Sequence, residues 1–116
     1  MGISLHIDYT DPEKDNEIRP ISGQKTFRKR WLMGDNPTGF KILQLIFNHG
    51  MDILPDSVLL PLMVEVGKLK AFYTDTPPTD MSTVAIESLI NEFDFLIQKL
   101  EHIRDHRDDI SKASMV

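Results

Sequence analysis

Six apolar residues in the last third of the sequence, Ile86, Leu89, Phe93, Leu96, Leu100 and Ile103, recur at alternating steps of three and four. That spacing lines all six along one side of an α-helix, because 3.6 residues complete each turn. Such a helix requires a second helix packed along its seam. Upstream, Leu59, Leu62, Val66, Leu69 and Tyr73 repeat the pattern, and Thr74-Asp75-Thr76-Pro77-Pro78-Thr79 between the two sets cannot continue a helix. The two arms therefore predict an antiparallel helical hairpin. The first arm is expected to start at Asp56 or Ser57 and end near Tyr73, and the second to run from Asp80 or Ser82 to Asp109.

Two shorter helices are expected before the hairpin. Phe27 and Trp31 lie four residues apart in a segment that Ser22 would cap. Phe40, Leu43 and Phe47 form the inner stripe of a second, running from Gly39 to Asn48 after Thr38 as its cap, with Gly50 as a left-handed stop. At the start of the chain, Ile3, Leu5, Ile7 and Tyr9 alternate with polar residues, the two-residue period of a half-buried strand. A lone strand leaves its backbone unpaired, so a partner is required, either residues 17–21 or residues 51–54. The predicted fold is α+β and mainly helical: four helices, including the C-terminal antiparallel hairpin, with a small N-terminal β element. At 116 residues and 41% hydrophobic, one domain spans 1–116. It divides into a β element over 1–21, a helical body over 22–110 and a flexible tail over 111–116.

A chain of this length closes a core without a disulfide or a structural metal, and it contains no cysteine. The opening Met1-Gly2-Ile3-Ser4-Leu5-His6 lacks the basic start of a signal peptide and the hydroxyl residue of a myristoylation signal. No run of about 20 apolar residues is long enough to span a bilayer. The expectation is a cytoplasmic protein without membrane contact.

Catalytic chemistry finds little footing. His102 and His106 are four apart on the last helix and could share a metal, but Ile103 follows His102 where a metalloprotease helix would carry glutamate, and no third ligand is fixed by spacing. Two solvated histidines at a charged helix end account for them better, since that reading also covers Arg104, Arg107 and Asp108, and a small metal-binding enzyme using His102 and His106 is the lesser alternative. No nucleophile elbow is present, and Gly34-Asp35-Asn36-Pro37-Thr38-Gly39 lacks the Gly-Lys-Ser/Thr of a phosphate loop. No catalytic residue, cofactor or metal is therefore assigned.

Charge suggests binding instead. The net charge is −5, yet Lys25, Arg28, Lys29 and Arg30 form a short basic segment around Phe27 and Trp31. That mixture is used by nucleic-acid sites, but the acidic remainder repels a polyanion, so direct nucleic-acid binding is not expected. The segment is a second candidate surface, suited to an acidic protein. The first is a ridge on the last helix, Glu87, Asp94, Glu101, Asp105 and Asp108, joined by Glu92 and Asp109, which could seat a basic partner. Ile90 and Ile97, seven apart and off the seam, leave open a homo-oligomeric structural or regulatory helical domain.

Taken together, the opening Met1-Gly2-Ile3-Ser4-Leu5-His6-Ile7 strand, the single Trp31, the Leu59-Leu60-Pro61-Leu62-Met63-x-Glu65 helix start and the acidic last helix resemble a small immunity protein of a bacterial polymorphic-toxin or contact-dependent growth-inhibition system. The resemblance implies a cytoplasmic protein that binds one cognate toxin domain, often a basic nuclease, and blocks its active site or its access to substrate.

Overall fold

A computed structural model describes residues 2–116; Met1, quoted above with the opening strand, lies outside them. The elements follow in the order β1 (Gly2–Tyr9), β2 (Glu17–Gly23), α1 (Gln24–Thr26) running into a wider π turn (Phe27–Trp31), α2 (Lys41–His49), β3 (Met51–Asp52), α3 (Asp56–Asp75), α4 (Thr83–Asp105), a 3₁₀ turn (Arg107–Asp109) and β4 (Ile110–Met115). The fold is α+β and mainly helical, with its helices packed on a four-stranded antiparallel sheet of order β2-β1-β4-β3.

The α3–α4 hairpin forms as its spacing predicts, except that Ile86, the first residue of the expected α4 seam, is half-buried and outside the core. Leu59, Leu62, Val66, Leu69 and Tyr73 are buried against Leu89, Phe93, Leu96, Leu100 and Ile103. Antiparallel packing follows from the pairs that meet: Tyr73 with Phe93, Lys70 with Asp94, and Asp56 with Arg107. Ser82 caps α4 by accepting a hydrogen bond from Ala85 N at 3.1 Å. Ile90 and Ile97 are half-buried and packed on the core, which leaves little of either for a helical oligomer seam.

In β1, Ile3, Leu5 and Ile7 point into the core as their alternation requires, and β2 supplies the expected partner, from Gly2 opposite Gly23 to Ile7 opposite Glu17. Residues 51–52 join the sheet too, but through β4 and not through β1.

Several expectations are corrected. Residues 111–116 are no flexible tail: 111–115 belong to β4, an interior strand between β1 and β3 with Ile110, Ala113 and Met115 buried, and Val116 exchanges backbone hydrogen bonds with Ser4. A bulge between Asp8 and Tyr9 shifts the β1–β4 register, so the inward residues of β4 stand three and then two apart and the period-2 signature is lost. Ser22 is buried in β2 and caps nothing; Gly23 takes the N-cap position without a side-chain bond. Residues 27–31 wind as a π turn, Leu32 N donating to Phe27 O, and this aims both Phe27 and Trp31 into the core. Lastly, α4 stops at Asp105, four residues before the expected Asp109, because the chain turns at His106 (φ −121°, ψ 30°) to enter the 3₁₀ turn.

Thr38 does not cap α2. The Glu65 carboxylate, arriving from α3, accepts from Ile42 N at 3.1 Å and Leu43 N at 3.0 Å, satisfying two amides that the first turn of a helix leaves open. Asn36 holds the entry to the helix, its side chain accepting from Phe40 N and donating to Phe40 O. Gly50 ends α2 at φ 72°, and a Cβ there would stand 2.9 Å from Met115 O, so the glycine serves both the turn and the close approach of β4.

Candidate interaction surfaces

The structure distributes the sequence-predicted residues over three sites. On α4, Glu87, Asp94 and Glu101 share a side of the helix at heptad steps, but the ridge is partly neutralised. Asp94 is bound by Lys70 of α3 at 2.7 Å, and Asp105 accepts from Arg104 Nε at 2.9 Å. The hydrogen bond from Arg104 holds the Asp105 carboxyl below its ordinary value. Asp108 leaves the ridge altogether, because it stands in the 3₁₀ turn beyond the helix end. Glu92 is turned away from the others, into a cleft where burial raises its pKa. Among the described residues, Glu87, Glu92 and Glu101 are the ridge members on the helix that have no cationic partner within 4 Å.

The basic segment is better assembled. Lys25, Lys29 and Arg30 line a cleft of about 830 Å³ against the start of α4, while Arg28 is exposed outside it. Arg30 is paired with Asp80 at 3.3 Å, and its carbonyl accepts from Tyr73 Oη at 2.5 Å. Lys25, Arg28 and Lys29 have no carboxylate within ion-pair distance among the described residues. The aromatics of the segment are not on offer. Phe27 stacks on Trp31 (5.0 Å between centroids) and on Phe47 (6.0 Å), and Trp31 sits edge-on to Phe93 at 4.8 Å. Both are fully buried, so the bases of a nucleic acid would find no stacking platform there.

His102 and His106 stack, their ring centroids 4.4 Å apart, and His102 joins a polar cluster with Tyr9, Glu17 and Lys99. Tyr9 Oη donates to Glu17 Oε2 and lies 3.2 Å from His102 Nε2; Lys99 Nζ donates to Glu17 Oε1 at 2.8 Å and Arg19 Nε at 3.2 Å. Hydrogen bonds from Lys99 and then Tyr9 hold the Glu17 carboxyl down at about 2. Burial, reinforced by the Glu17 bond, pushes the Tyr9 phenol up to about 12. Burial, with the charges of His106 and Lys99, lowers the pKa of His102. With the Tyr9 proton committed to Glu17, neutral His102 is the donor in their contact. A carboxylate that already accepts from three groups is a poor general base, and this cluster reads as a latch between the β1–β2 hairpin and α4. No group of three histidine, aspartate or glutamate side chains is arranged to hold a metal among the described residues.

A third surface was not singled out from the sequence. On the outer side of α3, Leu60, Val64 and Phe72 are 45%, 56% and 39% exposed, although the opposite side of the same helix supplies five core residues. Val64 and Phe72 join Phe40 and Ile42 in lining a groove of about 650 Å³ between α2 and α3, beside the exposed Lys41 and Lys68. The signal was present in the sequence: removing the seam from α3 leaves Leu60, Val64 and Phe72, at steps of four and eight on another side of the helix. None of the helices is long and apolar enough to cross a membrane among the described residues. Compared with protein families, with curated proteins and with solved structures, the chain matches none of them.

Proposed function

We propose that this protein acts by binding another protein in a fixed ratio, and that it neutralises a cognate toxin domain in the cytoplasm as the immunity proteins resembled by its sequence do. The observation that supports the reading is the apolar outer surface of α3. A helix with apolar residues on both sides is ordinarily buried on both, and here only one side is covered by the fold. Exposed apolar residues gathered beside a groove mark sites of protein association, because covering them removes apolar area from water at about 25 cal/mol per Å². The free lysines near that groove give orientation and steering to the encounter.

The proposal expects a C-terminal toxin region to be encoded immediately upstream, and co-expression with it is the test. A stable complex with one copy of each chain, and survival of cells that otherwise die, are the expected results. Unprotected cells and no co-purification would defeat it.

A further inference from the structure

The groove between α2 and α3 adjoins two further depressions. On one side it shares Gly39, Phe40 and Lys41 with a depression of about 440 Å³ that reaches exposed Leu45. On the other it shares Met33 and Phe72 with a depression of about 370 Å³ that ends at Pro78, Lys29 and Arg30. These three adjoining depressions form a track from α2, past the outer side of α3, to the basic segment.

Charge along this track is one-sided. Lys41, Lys68 and Lys29 have no carboxylate within 4 Å among the described residues. Glu65, the acidic residue beside the groove, is engaged with the amides of Ile42 and Leu43. Arg30 is engaged with Asp80. The track therefore offers an apolar floor and unpaired lysines on a molecule whose net charge is −5. We infer that the α2–α3 groove receives an amphipathic helix of the partner, with apolar side chains against Val64 and Phe72 and carboxylates toward Lys41 and Lys68. A helix in a groove is held by anchors at spacings of three and four, and flanking charge sets its register. The inference rests on the reading that the protein acts through a protein partner, and it names the part of that partner.

A fluorescein-labelled helical peptide of about 18 residues, with leucines at steps of three and four and glutamates on both flanks, is the probe; its anisotropy is followed during titration. Saturable binding is expected, weakened about tenfold or more by Lys41→Glu/Lys68→Glu and lost in Val64→Glu. A peptide with lysines replacing its glutamates should show the reverse preference, favouring Lys41→Glu/Lys68→Glu over the unaltered protein. Trp31 emission checks that each variant is folded, since the indole is fully buried. Absence of saturable binding, or indifference to both variants, overturns the inference. So does a dimeric protein that Val64→Glu makes monomeric, because a second copy would then occupy the groove. A toxin complex that forms and is insensitive to Val64→Glu removes the groove while leaving the proposed function. Peptide binding without any toxin partner removes the toxin and leaves the groove.

Discussion

Replacing Met115 by alanine tests whether the end of the chain is structural. Its side chain is fully buried and stands opposite Leu5 on β1 and Met51 on β3. The substitution deletes three heavy atoms from the core. At about 0.8 kcal/mol for each methylene-sized group, the transfer loss alone is about 2 kcal/mol. The cavity left between two flanking strands adds to this, for a total of about 2–5 kcal/mol. With a urea slope of about 1–3 kcal/mol per molar for a small domain, the unfolding midpoint should fall by roughly 1 M or more. Trp31 emission reports the transition. Lys112→Ala, on the exposed side of the same strand, is the control and should change stability by less than about 0.5 kcal/mol. If Met115→Ala were as silent as Lys112→Ala, β4 would not be an interior strand and the packing argument would fail.

Other outcomes follow from particular contacts. Glu65→Ala should cost about 1–2 kcal/mol by leaving two α2 amides without their acceptor, and amide exchange at Ile42 and Leu43 should accelerate. Because the Glu17 carboxyl is held at about 2 against an ordinary 4.5, its contribution is complete above pH 4.5 and is lost as pH falls toward 2. Acid titration of stability should show that loss in the native chain and a flatter curve in Glu17→Gln. His102, depressed in the folded state, likewise contributes stability above its ordinary 6.5 that declines as pH falls below it; His102→Gln should remove that part of the profile. Gly67→Ala should stabilise the protein by about 1 kcal/mol in thermal unfolding, since a Cβ on this helical residue meets nothing within 4 Å.

What could be read in the sequence was periodic and local. Leu89, Phe93, Leu96, Leu100 and Ile103 announce a buried helix face because the repeat persists over many turns, and Ile3, Leu5 and Ile7 announce a strand. Ser82 behaves as a helix cap because its role needs only its immediate neighbours. By contrast, Thr38 and Ser22 had the right chemistry for caps but were displaced by tertiary structure: Glu65, more than twenty residues away, reaches α2 first, and Ser22 is drawn into the sheet. The β4 strand was obscured by its bulge and by Ser111-Lys112-Ala113-Ser114, residues of weak strand preference whose placement is decided by β1. The acidic residues of α4 were visible, but Lys70 and Arg104, which neutralise two of them, could be matched to them only in three dimensions or at an adjacent position. The outer apolar residues of α3 are visible in the sequence as a second set, but that they stay uncovered beside α2 is decided by tertiary packing.

The pairing of Leu5 with Met115 also sets an order of events during synthesis. The two residues lie 110 positions apart, so β1 leaves the ribosome long before its central neighbour exists. At about 5–20 residues per second, the interval is roughly 5–20 seconds. Only β2 can cover β1 in that time, and the other edge of β1, with Ile3, Leu5 and Ile7 above it, stays open to any strand that meets it. The nascent chain is therefore most vulnerable to aggregation, and most in need of a chaperone, until its last strand is made.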